Sequence, residues 1–191
     1  MDIVISELTK KFADNTVIDR FSAVIKENQR TFIMGPSGCG KTTLINILLG
    51  LVPFDSGVIK GVPERKSVVF QEDRLCESFN SISNVRLVLN RKVDDSVIIS
   101  HLEQIGLKDD LYKPVIELSG GMRRRVAIVR AILAESEILF LDEPFKGLDT
   151  ETKKNVMSYL LENTRNKTTI IVTHDIEDVN ALSGNVIAMD M

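Results

Sequence analysis

Residues 31–43 read Thr31-Phe32-Ile33-Met34-Gly35-Pro36-Ser37-Gly38-Cys39-Gly40-Lys41-Thr42-Thr43, and this run decides the fold of the 191-residue chain. Its first four residues are apolar enough for a short buried strand. Beyond it, Leu44, Ile45, Leu48 and Leu49 recur at helical spacing, and Gly50 fits a helix stop. Strand, glycine-rich loop and helix follow in the order that a Gly-x4-Gly-Lys-Thr phosphate-binding loop requires. The glycines allow backbone N–H groups to approach phosphate oxygens, and the helix presents its positive end to the same anion. Lys41 supplies a point charge for the β and γ phosphates. The Thr42 hydroxyl is a hard oxygen suited to Mg²⁺. By residue frequencies such a pattern arises by chance in roughly one chain per hundred of this length, and a Gly-rich turn beside a surface lysine does not need the flanking strand and helix. Cys39 has only to be small.

Working outward, the chain has the length of one domain or of one domain with an inserted subdomain. Apolar residues make up 43% and charged residues 27%, which excludes collagen-like, low-complexity and disordered classes. The net charge of −3 argues against binding nucleic acid by bulk electrostatics. No apolar run reaches 18 residues, the start carries no signal-peptide pattern, and two cysteines make no disulfide framework. A reduced, cytoplasmic compartment is expected.

Upstream of the loop, Ile3, Ile5 and Leu8 suggest one strand, Val17 and Ile18 a second, and residues 21–25 a third. Residues 66–70 (KSVVF) suggest another. Residues 73–135 change to helical patterns: Leu102 and Ile105 precede a C-cap at Gly106, and Met122, Val126, Val129 and Leu133 share one face. Strands return at 138–142, 168–173 and 185–189, with a helix at about 150–164. The chain is therefore α/β, with near-continuous apolar strands of the parallel, doubly buried kind.

Two further constellations carry chemistry. Residues 138–144 (ILFLDEP) form a buried strand that delivers Asp142 and Glu143 at its end, with Pro144 as a stop. Asp142 is placed for the Mg²⁺ shell and Glu143 for a proton from attacking water. Leu118-Ser119-Gly120-Gly121-Met122 opens a helix and is a second anion site, followed by Arg123, Arg124 and Arg125. Cations in a first helical turn oppose the helix dipole by up to about 1 kcal/mol each. Either negative charge binds nearby or the three arginines are solvated.

With these motifs in this order the chain resembles, along essentially its whole length, the nucleotide-binding subunits of ATP-binding-cassette (ABC) transporters. The resemblance implies a P-loop NTPase with a mainly parallel core sheet, an N-terminal antiparallel β region and an inserted α-helical subdomain. The core would be 1–72 and 136–191, the subdomain about 73–135, in a single cassette 1–191. It further implies that Gln71 senses Mg²⁺ and the γ phosphate, that Asp149 lies in a loop crossing a dimer interface, that His174 contacts the γ phosphate, and that Phe12 stacks on adenine. Read alone, Phe12 is as well a core residue, and Gln71 and Asp149 are ordinary loop residues. The family pattern implies a head-to-tail dimer of identical copies, with ATP held between one copy's loop and the other's Ser119, Gly120 and Gly121.

Residues 71–75, Asn84-Val85 and SGGMRRRV look like importers of the nitrate, sulfonate and taurine type. Such a subunit sits on the inner face of the membrane, on separate permease chains, with a solute-binding protein as a further partner and no nucleic acid. An exporter subunit and a soluble cassette ATPase acting on nucleic acid or ribosomes are the alternatives. Met122, Lys146 and Gly147 depart from the family's usual residues, and the stretches around 53–66 and 86–110 look trimmed; with seventeen residues after His174, no C-terminal regulatory domain is expected.

Overall fold

The computed structural model describes residues 1–89 and 93–189. Residues 90–92, inside the stretch read as helical, and 190–191 lie outside the described residues. The first strands are β1 (Ile3–Phe12) and β2 (Asn15–Ile25). β3 (Arg30–Met34) leads through the phosphate-binding loop into α1 (Lys41–Leu49). Next come β4 (Ser56–Lys60) and β5 (Lys66–Val69), then α2 (Ser81–Arg86), α3 (Asp95–Gln104) and α4 (Gly120–Leu133). The chain returns through β6 (Ile138–Asp142), α5 (Thr150–Asn163), β7 (Thr168–Val172), α6 (Ile176–Leu182) and β8 (Asn185–Ala188).

Five strands form a parallel sheet in the order β5-β6-β7-β3-β8. Every residue of β6 and β7 is buried, because α1 and a second sheet cover one face while helices cover the other. Side chains alternate between the two faces. Phe32, Leu139, Leu141 and Ile171 pack with residues of α2, α3, α4 and α5. Ile33, Ile138, Phe140 and Ile170 pack with α1 and with Ile3, Ile5 and Leu8 of β1. Fully burying one such side chain stabilises by about 1.5–3 kcal/mol, and this double coverage fixes the strand ends that carry the functional residues.

The second sheet is antiparallel, in the order β2-β1-β4. Residues 15–25, expected as two short strands, form one. Leu8 pairs with Phe21 and Lys10 with Ile18, so β2 carries an extra residue between two pairs. That residue is accommodated as a bulge with Arg20 at φ 45°, and its N–H donates to Thr9 Oγ1 at 3.2 Å. The break in alternation at Asp19 and Arg20 is thus a kink within one strand. β4 and α6 had no signature in the periodicity. β4 offers Val58 and Ile59 on an exposed edge, and the apolar anchors of α6 are Val179 and Leu182.

The strands expected at 66–70, 138–142, 168–173 and 185–189 and the helix at about 150–164 fall within a residue of those observed, while α3 starts six residues before the expected His101 and β1 runs on to Phe12. Gly106 follows α3 at φ 85° and its N–H donates to Glu103 O at 2.9 Å, closing the helix as a left-handed cap does. Among its described residues, the stretch between β5 and β6 holds α2, α3 and α4 with turns and a 3-10 turn at Val115–Glu117.

Candidate active site

The phosphate-binding loop runs from the end of β3 to the start of α1, and its backbone is forced by close packing. A Cβ at Gly35 would lie 2.2 Å from Met189 O and 2.7 Å from Cys39 Sγ. Gly40 sits at φ 96° and a Cβ there would lie 2.9 Å from Val17 O. Cys39 is buried within the turn, consistent with a packing role.

The start of α1 differs from that of the other helices. Asn80, Asp94, Ser119, Asp149 and Asp175 each cap their helix by accepting a backbone N–H. Gly40 offers α1 no side-chain cap, and no acidic residue stands in its first turn. The first N–H groups of a helix need acceptors. An anion at this end satisfies them and meets the positive end of the helix dipole. Lys41, buried in the same turn, donates from Nζ to Gly35 O at 2.8 Å and Pro36 O at 2.7 Å.

Facing α1, β6 delivers its carboxylates. Thr42 Oγ1 donates to Asp142 Oδ2 at 2.9 Å, while the buried Oδ1 of Asp142 has no hydrogen-bond partner. Burial pushes the Asp142 carboxyl above its ordinary pKa; the Thr42 hydroxyl opposes this and the neighbouring Glu143 charge adds to it. The pair Thr42–Asp142 is a set of hard oxygens short of positive charge, which suits a divalent cation such as Mg²⁺.

Glu143 sits at φ 48°, a left-handed conformation uncommon for a residue with a side chain, and its N–H still donates to Val172 O at 3.0 Å. The kink turns its carboxylate off the sheet between two basic groups. Lys146 Nζ lies 2.9 Å from Oε2 and His174 Nδ1 3.6 Å from Oε1. Burial raises the Glu143 pKa, but the bond and charge of Lys146, with His174 and Lys41, outweigh it and hold the carboxyl below its usual value.

A cleft of about 280 Å³ brings together Ser37, Gly38, Lys41, Thr42, Thr43, Gln71, Asp142 and Glu143, with Val17 and Lys146 as further walls. Sequence reading placed the first eight in one site, and the structure puts them together. His174 borders an adjoining cleft of about 200 Å³ that shares Glu143 and Lys146. Phe12, Asp149, Ser119, Gly120 and Gly121 do not line the cleft of their own chain. Phe12 is exposed at the β1–β2 turn with Lys10 Nζ 4.9 Å from its ring centre. Asp149 caps α5, accepting from Thr152 N at 2.9 Å and Thr152 Oγ1 at 2.7 Å. Ser119 caps α4 from an exposed position, accepting from Met122 N at 3.3 Å.

The three arginines are not left to solvent, because each donates to backbone carbonyls. Arg123 donates to Leu118 O at 3.0 Å, and Arg125 to Gly106 O at 2.7 Å. Arg124 is buried, donates to Phe70 O at 2.5 Å and to Gln71 O, and pairs with Asp73 at 3.2 Å. A buried guanidinium without partners would cost several kcal/mol; here carbonyls supply them. Arg124 thereby ties α4 to the strand end that carries Gln71. A second cluster was invisible in the sequence: Lys153 of α5 pairs with Asp175 at 2.7 Å and buried Asp178 at 2.6 Å, and Thr173 Oγ1 donates to Asp178 at 2.5 Å. It clasps the loop around exposed His174 to α5.

The fold and this cleft define a nucleotide-binding cassette, and residues 18–146 match the ABC transporter family. The chain belongs to that family and is an ATP-binding, ATP-hydrolysing cassette. Among curated relatives it is 35% identical over 191 residues to the aliphatic sulfonates import ATP-binding protein SsuB 1 of Nocardia farcinica (strain IFM 10152), covering 98% of this chain and 78% of that one. It is 34% identical over 204 residues to the spermidine/putrescine import ATP-binding protein PotA of Bacteroides thetaiotaomicron, covering 98% of this chain and 44% of that one. A solved dimeric structure of a bacterial ABC transporter cassette superposes with a TM-score of 0.87 at 27% identity, covering 98% of this chain and 94% of that one. Among the described residues no helix is long and apolar enough to cross a membrane.

Proposed function

We propose that this cassette hydrolyses ATP to energise an importer of the sulfonate type, docked on separate permease chains at the inner face of the membrane. A solute-binding protein would deliver the solute. The observation that carries the ATPase chemistry is the juxtaposition of an uncapped helix end, a buried lysine and two carboxylates across one cleft. Import is supported by the similarity to import ATP-binding proteins for sulfonates and for spermidine and putrescine.

The loop N–H groups and Lys41 hold the triphosphate, with Thr43 at the helix end and Phe12 as the adenine platform. A Mg²⁺ ion held by Thr42 and Asp142, with Gln71 within its shell, would offset charge on the β and γ phosphates. Glu143 accepts from the attacking water and orients it in line with the γ phosphate. His174, clasped by the Lys153 cluster, donates to the same phosphate at neutral pH. Acceleration comes from positioning and charge neutralisation.

The second anion site lies outside this cleft, so a head-to-tail pair of chains supplies Ser119, Gly120 and Gly121 to a partner's nucleotide. Asp149, at the foot of α5, would face that junction. A Cβ at Gly121 would stand 3.2 Å from Leu148 Cδ2, so the signature turn and the Asp149 loop already touch within one chain. Helical residues 73–135, tethered by Arg124, would move with the state of Gln71 and transmit closure to the permease.

Ser119→Arg tests this arrangement. The exposed position tolerates the side chain without loss of fold, while its bulk and charge block a partner's phosphate site. ATP-driven association and turnover are expected to fall at least about 100-fold, with single-chain nucleotide binding intact. Unimpaired ATP-driven association, read by sedimentation, contradicts the sandwich.

A further inference from the structure

Lys146 is the feature of the cleft that the family pattern leaves without a role. It stands where the family's small residue is expected, lines the same cleft as Lys41 and Thr42, and pairs with Glu143 at 2.9 Å. Its side chain is 53% exposed, against 18% for Glu143. Lys41 is fixed in place by donating to the carbonyls of Gly35 and Pro36, whereas Lys146 is held by one carboxylate on a flexible stem. The turn that carries it is tight: Lys146 N donates to Glu143 O at 3.2 Å, and Gly147 follows at φ 75°. The ammonium therefore stays within a side chain's reach of the cleft wherever it points.

We propose that Lys146 is a second cationic contact for the terminal phosphate of ATP, parked on Glu143 and transferred to the γ phosphate when a triphosphate enters. This rests on the reading of Glu143 as the residue that orients water. Only the ammonium end is half exposed, and it is held by a single carboxylate, so entry of a triphosphate exchanges one ion pair for another. A γ phosphate carries more charge than a carboxylate and offers more acceptor oxygens, so it wins the ammonium. The transfer has two results. The cleft gains an interaction that a diphosphate cannot use, and Oε2 of Glu143 becomes free to accept from water. Lys146 is thereby a specificity-determining residue for triphosphate over diphosphate.

The test compares binding of a non-hydrolysable ATP analogue and of ADP, with Mg²⁺, by calorimetry in the full chain and its Lys146→Met and Lys146→Arg variants. Lys146→Met is expected to weaken the triphosphate about 5- to 10-fold and to leave ADP within about twofold, and Lys146→Arg to restore the preference. Unchanged ADP binding shows that the variant cleft is folded. A triphosphate-to-diphosphate ratio unaltered in Lys146→Met, or a tighter triphosphate, overturns the proposal. Neither measurement needs turnover, so failure of the Glu143 assignment shows separately, as continued hydrolysis by Glu143→Gln.

Discussion

Glu143→Gln is expected to abolish ATP turnover, by about 10²- to 10⁴-fold, while ATP binding survives. The side chain keeps its size and its place on the kinked strand end, where the backbone N–H still reaches Val172 O. What it loses is the charge that attracts the proton of an attacking water. Glu143 is a weak base by pKa, because burial is outweighed by Lys146 and His174. Its contribution is therefore mostly orientation of an acceptor at a fixed point. Removing one negative charge from a cleft that also holds Asp142 eases entry of a polyanion, so affinity for ATP holds or rises. Unspent ATP then keeps the closed pair of chains together, and sedimentation should show the paired mass with ATP and the single mass with ADP. Hydrolysis at the wild-type rate would remove Glu143 from the mechanism.

Lys41→Ala is expected to weaken ATP binding about 100-fold. Hydrogen bonds to charged groups contribute about 1.5–3 kcal/mol each, and Lys41 serves two phosphates, so about 3 kcal/mol of net loss is the scale. The alanine also leaves Asp142 and Glu143 facing the triphosphate without their buried counter-charge. Nζ braces Gly35 O and Pro36 O as well, so the loop loosens in the same variant. Thermal unfolding separates the two effects: a modest fall in Tm accompanies a large fall in nucleotide affinity. Unchanged ATP binding by fluorescence titration counts against the phosphate-binding reading.

The parts of this site legible in the sequence are those where residue type at fixed spacing is itself the chemistry. Gly35, Gly40, Lys41 and Thr42 are such a set, because only that spacing wraps backbone N–H groups round an anion. Asp142 and Glu143 were legible because four buried apolar residues before them could only be a strand ending at the same edge. Parallel sheet and helical stretch followed from periodicity, since buried strands lack alternation and α4 keeps an apolar face. Gln71, Asp149, His174 and Phe12 took their roles from family resemblance, whereas Ser119, Gly120 and Gly121 were read from the helix start they open.

What the sequence hid was tertiary. The Arg20 bulge looks like a strand break, because one extra residue interrupts the period. β4 shows two half-exposed apolar residues and α6 two buried ones, too few for any period to register. Arg124 reads as one of three like charges, yet it alone is buried, since its acceptors come from residues about fifty positions earlier in the chain. Lys146 departs from the family's usual residue, but only the turn at Glu143 reveals that it lines the cleft.

The central claim is that the triphosphate reacts only when a second chain closes over it. Initial rates of ATP hydrolysis with Mg²⁺, measured over a wide range of protein concentration, test it most directly. The account predicts that the rate per chain rises in proportion to concentration while the chains are mostly single, then levels off as they pair. A rate per chain that stays constant down to concentrations where sedimentation finds only single chains would contradict it.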